Sequence, residues 1–347
     1  MPSLTIFKKR TKTPLACSLF YSIFISQLIL NYMKAYYSTR YGGPEYAFYG
    51  ELPDIIAKPG EFLVEIKAAS INPVDYKIMS GVVRFISGTK FPKIFGTDFA
   101  GIIKEIPDGV SGFKTGDRVY GSATIITGRP GALAELLSVK PERLRKIPLE
   151  MSFEEAASLP VAALTALNGL RRCGVKAGSR VLINGATGGV GHFAVQIAKA
   201  KGAHITATCS GSNEELAIKL GAYVVKGYGE DDLSGERNCF DAILDAYGKM
   251  GHTDICRLLR KRGVYASTLF FNPLSFIASG IIKVIYGKKL TSANMRAKPE
   301  DYEELEILFR DKKLTPLIEN IIPLSKCGDA FYHAEYGKPR GKVIVTV

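Results

Sequence analysis

Apolar and polar positions recur with two different periods along this chain, and the change of period divides it. From residue 34 to residue 148 the apolar runs are short and punctuated by Gly and Pro. "EFLVEIKAASIN" alternates, "DFAGIIKEI" follows, and "GDRVYG" reads as a turn into a strand. This half is predicted to be a mostly antiparallel, β-rich layer, a distorted barrel. At "SFEEAASLPVAALTALNGL" the period becomes helical, with Ser152 and Glu155 at capping-box spacing and a long helix after Pro160. Strands and helices then alternate over Arg180–Ile183, Phe193–Lys201, His204–Thr208, Glu214–Leu220, Tyr223–Lys226, Phe240–Ala246, Asp254–Arg260 and Val264–Ser267. Such alternation predicts a parallel sheet with helices on both faces. "PEDYEELEILFRDKK" is an amphipathic helix with acids in its first turn and lysines at its end. The closing "GKVIVTV" is a strand expected to return to the first half.

The first 32 residues stand apart. Lys8, Lys9, Arg10 and Lys12 precede "LACSLFYSIFISQLILNY", which carries no charge from Leu15 to Leu30. A helix of that length is short for a bilayer core, which takes about 20 residues. Three readings stay open: a membrane anchor held with its basic flank in the cytoplasm, a signal segment without a clear cleavage site, or a tail or over-long gene start before a domain beginning at Met33. A second apolar run, residues 269–290, is broken by Asn272, Pro273 and Lys283 and reads as a cover for a cleft or a subunit interface.

A chain of 347 residues has room for two domains. The net charge of +13 is scattered beyond the N-terminal cluster, which suits an anionic cofactor. No nucleic-acid module is visible, so nucleic acid is not expected as a partner. The six cysteines and four histidines show no ligand spacing, so no metal site is expected.

Residues Gly185–Gly191, "GATGGVG", follow a buried-type strand and open a helix. Ala186, Gly188 and Gly191 take the three small-residue positions of a dinucleotide fingerprint, and the loop Ala186, Thr187, Gly188, Gly189, Val190 and Gly191 is expected to cradle a pyrophosphate at the helix N-terminus. An NAD site usually places Asp or Glu at the end of the next strand, on the ribose 2′-hydroxyl. Here that place reads Cys209-Ser210-Gly211-Ser212-Asn213. Without the acid a 2′-phosphate is not repelled, and Ser210 and Ser212 can donate to it. The cofactor expected is NADP(H). Glu214 and Glu215 read as first-turn acids of the next helix, capped by Ser212 or Asn213.

The ordered set "MKAYYSTRYGGPE", "AASINPVDYKIMSG", "GTDFAGII", "FKTGDRVYG", "ASLPVAALTALNGL", "NGATGGVGHFAVQIAK", "DAILDAYG" and "GKPRGKVIVTV" resembles the medium-chain dehydrogenase/reductase superfamily. Within it the chain resembles the zinc-independent quinone oxidoreductase branch, which includes chloroplast-envelope quinone oxidoreductase homologues and alkenal reductases. Where zinc-dependent members carry a catalytic Cys and Gly-His-Glu, this chain has Ser70-Ile71-Asn72 and Gly96-Thr97-Asp98, and the structural four-cysteine lobe is missing. The resemblance implies that Asn72, Asp75, Tyr76 and Lys77 lie near the nicotinamide, with Asn72, Tyr76 and Lys77 as the catalytic candidates. It implies that Thr165 contacts the nicotinamide and Tyr228 the 2′-phosphate. Asp245, Tyr247 and Gly248 after one sheet strand, and Ser267 and Leu269 after the next, lie at carboxyl strand ends, where ligands collect.

The expected fold is therefore α/β: a GroES-like β-rich substrate domain (33–152 and 298–347) and a Rossmann doubly wound domain (153–297), behind the extension 1–32. The expected activity is hydride transfer from NADPH, without zinc, to an α,β-unsaturated carbonyl or a quinone. Alternatives are a quinone reductase proper and a non-catalytic NADPH-binding, membrane-associated protein. The expected partners are a small apolar carbonyl or quinone and a second copy in a homodimer. The expected location is cytoplasmic, with any membrane contact through residues 15–32.

Overall fold

The computed structural model describes residues 31–227, 233–269 and 273–347. The apolar run 15–30 and Tyr228 fall outside the described residues. No helix among those described is long and apolar enough to cross a membrane.

The first half contains β1 (Tyr32–Ser38), β2 (Ala47–Pro53), β3 (Phe62–Ser70), α1 (Pro73–Met79), α2 (Arg84–Ser87), β4 (Lys93–Ile94), β5 (Asp98–Glu105), β6 (Arg118–Ser122), β7 (Leu136–Val139) and β8 (Leu144–Lys146). Two helices lead out of it, α3 (Phe153–Ser158) and α4 (Pro160–Arg172). The second half holds β9 (Arg180–Asn184), α5 (Gly191–Ala200), β10 (His204–Cys209), α6 (Glu214–Leu220), β11 (Val224–Gly227), β12 (Phe240–Asp245), α7 (His252–Leu258), β13 (Leu259–Ser267), α8 (Pro273–Tyr286) and β14 (Lys289–Ser292). The chain closes with α9 (Pro299–Arg310), β15 (Ile318–Pro323), α10 (Cys327–Tyr336) and β16 (Lys342–Thr346).

Six parallel strands form one sheet in the order β11-β10-β9-β12-β13-β14. The order reverses between β9 and β12, which opens a crevice at their carboxyl ends, Asn184 beside Asp245. The β-rich sheet runs β15-β16-β3-β5-β6-β8, with β7 on β3, and a small sheet β2-β1-β4 lies beside it. The last strand does return: β16 pairs antiparallel with β3, Ile344 opposite Ser70. One core cluster runs through the parallel sheet and its helices, from Leu164 and Phe193 to Ile344, and a second fills the β-rich layer around Phe62, Phe95, Phe99 and Phe331.

The capping box forms as the spacing predicts: Glu155 N–H donates to Ser152 Oγ at 3.1 Å, and Ser152 N–H to the Glu155 carboxylate at 2.9 Å. Other local expectations are corrected. The extension does not end at residue 32, because Tyr32 pairs with Pro53 and Asn31 O accepts from Asp54 N–H. The helix expected over Asp254–Arg260 ends at Leu258, because Leu259 already pairs with Phe240 in the sheet. Helices near the expected domain limits reach across them. α3 packs on β3 and β5, whereas α9 packs on α4, with Arg171 paired to Asp301 and Lys201 to Glu304. Tyr120 of β6 donates to Glu306 of α9 at 2.8 Å, so this helix also touches the β-rich layer.

Candidate active site

The crevice at the strand-order reversal widens into a cleft of about 1120 Å³. Its walls bring together Asn72, Pro73 and Tyr76 from the β-rich half, Thr187–Gly191 from the glycine loop, and Ser210, Asn213 and Tyr247 from the parallel sheet.

The loop after β9 is built by its own backbone. Gly185 takes φ 85°, and both Gly185 and Ala186 N–H groups donate to Thr208 O. Gly191 opens α5, and a methyl group there would meet Gly185 O at 1.9 Å, so its bare Cα sets the strand–helix approach. Gly188 differs: the nearest atom to an added Cβ is Gly185 O at 3.6 Å, an ordinary contact. Nothing among the described residues demands glycine at 188. The space it leaves opens on the cleft at the N-terminus of α5, where free N–H groups and the helix dipole favour an anion. A dinucleotide pyrophosphate fits this cradle. His192 braces it from below: its Nδ1 lies 3.0 Å from Gly188 O, and burial holds the imidazole neutral, its pKa pushed down to about 3.

Beyond β10, Asn213 does not cap α6 with its side chain. Its amide instead donates to Ser210 Oγ at 2.9 Å and to Thr187 Oγ1 at 3.3 Å, tying the strand end to the glycine loop. Ser210, Asn213 and Gly227 line this end of the cleft, whereas Ser212 lies beside it without forming its wall.

The opposite wall rests on a buried polar network. Asp75 accepts from Asn72 N–H at 2.7 Å and from the Thr97 hydroxyl at 2.8 Å. The Asn72 amide donates to Asp98 at 2.8 Å and its oxygen accepts from the Lys342 ammonium at 2.7 Å. Asp98 also accepts from Ser70 Oγ at 2.9 Å and Val161 N–H at 3.0 Å, and lies 3.8 Å from Lys342. Burial raises both carboxyls, Asp75 to about 7. The donors onto Asp98 and its neighbouring ammonium favour its charged form, which leaves Asp75 as the group that holds a proton below neutral pH. Tyr76 is half-buried on the cleft wall; burial pushes its phenol up to about 12, so the hydroxyl stays a donor.

The structure separates the candidates. Asn72 lines the cleft, but its amide is spent on Asp98 and Lys342, so it shapes the wall through its neighbours. Lys77, about 100° round the helix from Tyr76, is not on the wall. Asp245 is fully buried, with four donors from Asn184, Gly248, Met250 and Tyr265; it holds the turn that presents Tyr247 rather than facing a ligand. Thr165 is buried one turn beyond the wall residues Val161 and Ala162. Ser267 accepts from Leu269 N–H at 3.1 Å, and the Leu269 side chain packs over Gly248; neither lines the cleft. Ala186 is buried behind the loop. Lys342 escaped the sequence reading, since a lone lysine at the start of an apolar strand looks like a solvated strand end.

Residues 58–149 match the alcohol dehydrogenase GroES-like domain and residues 220–345 the zinc-binding dehydrogenase domain. The chain is 33% identical over 320 residues to the chloroplast envelope quinone oxidoreductase homolog of Arabidopsis thaliana, covering 89% of this chain and 96% of that protein. It is 31% identical over 355 residues to the mitochondrial NAD(P)H oxidoreductase RTN4IP1 of Bos taurus, covering 91% and 89%. The solved quinone oxidoreductase from Coxiella burnetii superposes with a TM-score of 0.83 at 30% identity, over 91% of this chain and all of that one. These likenesses support an oxidoreductase with a nicotinamide cofactor.

The second matched domain is named for zinc, and the residues here do not fit that ion. Asn72, Thr97 and Asp98 are engaged in hydrogen bonds, and an ammonium stands 2.7 Å from Asn72 Oδ1, which would repel a divalent cation. Among the described residues no His, Cys, Asp and Glu side chains gather into a metal-binding group. Fold, cleft and relatives agree: the chain belongs to the quinone oxidoreductase branch of the medium-chain dehydrogenase/reductase superfamily.

Proposed function

We propose that this protein is an NADPH-dependent, zinc-independent reductase that delivers a hydride to an α,β-unsaturated carbonyl or a quinone. The observation that carries the reading is one cleft shared by the glycine loop and by Tyr76, whose hydroxyl makes no hydrogen bond among the described residues. NADPH would supply the hydride. Gly188 and the N-terminus of α5 would take its pyrophosphate, and the Ser210 hydroxyl, whose oxygen is held by the Asn213 amide, would donate to its 2′-phosphate. The apolar wall of Ile71, Pro73, Val161 and Ala162 would orient a flat substrate and exclude water. The Tyr76 hydroxyl would donate to the substrate oxygen as negative charge gathers there, an effect worth about a hundredfold or more in rate.

NADPH oxidation by the purified protein with a panel of enones and quinones tests this. Turnover with quinones alone selects a quinone reductase proper. Tight NADPH binding without turnover of either class sinks the catalytic reading in favour of a binding protein. Assembly as a homodimer is proposed on the edge strand β14, whose outer side pairs with no strand among the described residues, and sedimentation measures it. We further propose a cytoplasmic location, with any membrane attachment through residues 15–30. Pelleting of the full chain with membranes, but not of a chain starting at Asn31, would establish that attachment.

A further inference from the structure

A second cavity, of about 230 Å³, lies in the β-rich half away from the cleft. Met33, Ile78, Ile94 and Ile125, all buried, give it an apolar floor. Lys90, Lys93 and Arg129 give it cationic walls.

Lys93 is the unusual member. It is 8% exposed, and no carboxylate pairs with its ammonium among the described residues. Its Nζ donates to Ser87 O at 2.7 Å and sits over the rings of Phe91 and Tyr41, 5.3 and 5.6 Å from their centroids. Those contacts satisfy one N–H and offer two π faces, against the three donors of an ammonium. Gly128, on the cavity wall, is so close to Ser87 O that an added Cβ would stand 2.7 Å from it. The ammonium's one hydrogen-bond acceptor among the described residues, Ser87 O, therefore lies beside a residue of that wall. The neighbouring charges do not neutralise it. Glu61 is held by Arg129 and by the Ser138 hydroxyl, and Lys90 adds a further positive charge. Lys288, also buried without a carboxylate partner among the described residues, instead bonds Asn238 Oδ1 and Cys256 O and does not line this cavity.

A buried, uncompensated cation is costly, and a counter-ion is the ordinary remedy. We propose that this cavity binds a small monocarboxylate with an apolar tail, its carboxylate on Lys93 and its tail against Met33, Ile94 and Ile125. The volume exceeds the roughly 150 Å³ of a cavity that admits benzene, which suits an acid of about six to eight carbons. This site is independent of the proposed reaction, and inorganic anions lack the tail that its floor would bury.

Titration of the full chain, with isoleucine methyl groups observed by NMR, tests it with hexanoate, 1-hexanol and inorganic phosphate. Hexanoate should shift the Ile94 and Ile125 methyl resonances and bind at least tenfold tighter than either control. K93M should lose at least tenfold in hexanoate affinity and keep its affinity for hexanol. L52W, which fills the cavity from its rim, should abolish both; it decides the matter if K93M does not fold. Hexanoate binding no tighter than hexanol or phosphate overturns the proposal. So does unchanged hexanoate affinity in folded K93M or L52W.

Discussion

Two glycines three residues apart should fail in opposite ways when replaced by alanine. At Gly191 the new methyl would stand 1.9 Å from Gly185 O, 2.7 Å from its carbonyl carbon and 2.8 Å from Ala186 Cα. All three are backbone atoms, so no side chain can swing away. The strand–helix junction must open by about an ångström, and overpacking of this kind costs about 1–3 kcal/mol. At Gly188 the methyl meets nothing closer than 3.6 Å, and the backbone φ is not positive. There the folded protein loses nothing, and the unfolded chain loses entropy, so stability should hold or rise by about 0.5 kcal/mol. The methyl does, however, occupy the space assigned to the pyrophosphate. NADPH affinity of G188A should fall at least tenfold, about 1.4 kcal/mol. Urea denaturation of the ligand-free proteins reads the first quantity and fluorescence titration with NADPH the second. G188A that binds NADPH like the wild type would refute the assignment of the cradle, and G191A of unchanged stability would refute the packing argument.

Three further outcomes are expected. The wild type should bind NADPH at least tenfold tighter than NADH, about 1.4 kcal/mol, and S210D should reduce or reverse that preference in the same titration. Asp75, with its pKa raised from 3.8 to about 7 by burial, holds a proton in the native state that the unfolded chain has released. Its contribution to stability is therefore unaffected below about pH 4, falls as pH rises toward 7, and is flat above, by about 4 kcal/mol at most. D75N should lack that slope, so urea midpoints of the two proteins should diverge between pH 4 and 7 in favour of D75N; parallel curves would contradict the buried-acid reading. K342M leaves Asp98 buried without its cation and should cost about 3 kcal/mol at pH 8 and less at pH 5, where the raised Asp98 carboxyl takes up a proton more readily.

Local features of the chain were legible without coordinates wherever a short stretch carries its own physical demand. The capping box at Ser152 and Glu155 is four residues long and closes on itself. The glycine loop needs only the strand before it and the helix after it. The alternation of strands and helices over residues 180–267 implies the parallel sheet, because a right-handed crossover leaves few other ways to bury both faces of each strand. The absence of an acid at Ser210 is likewise a fact of sequence.

Tertiary structure alone decided which of the polar candidates face the cleft. Asn72, Asp98 and Lys342 are separated by as many as 270 residues, and only the pairing of the last strand with β3 brings the Lys342 ammonium to Asn72. Asp245 looked like a ligand because it ends a sheet strand, yet four donors from other segments turn it into an internal brace. Asn213 carried the signature of a helix cap, and the proximity of Thr187 and Ser210 drew its amide away. In each case the type of residue and its neighbours in sequence were known. Its hydrogen-bond partners came from distant parts of the chain, and a buried polar group goes where those partners are.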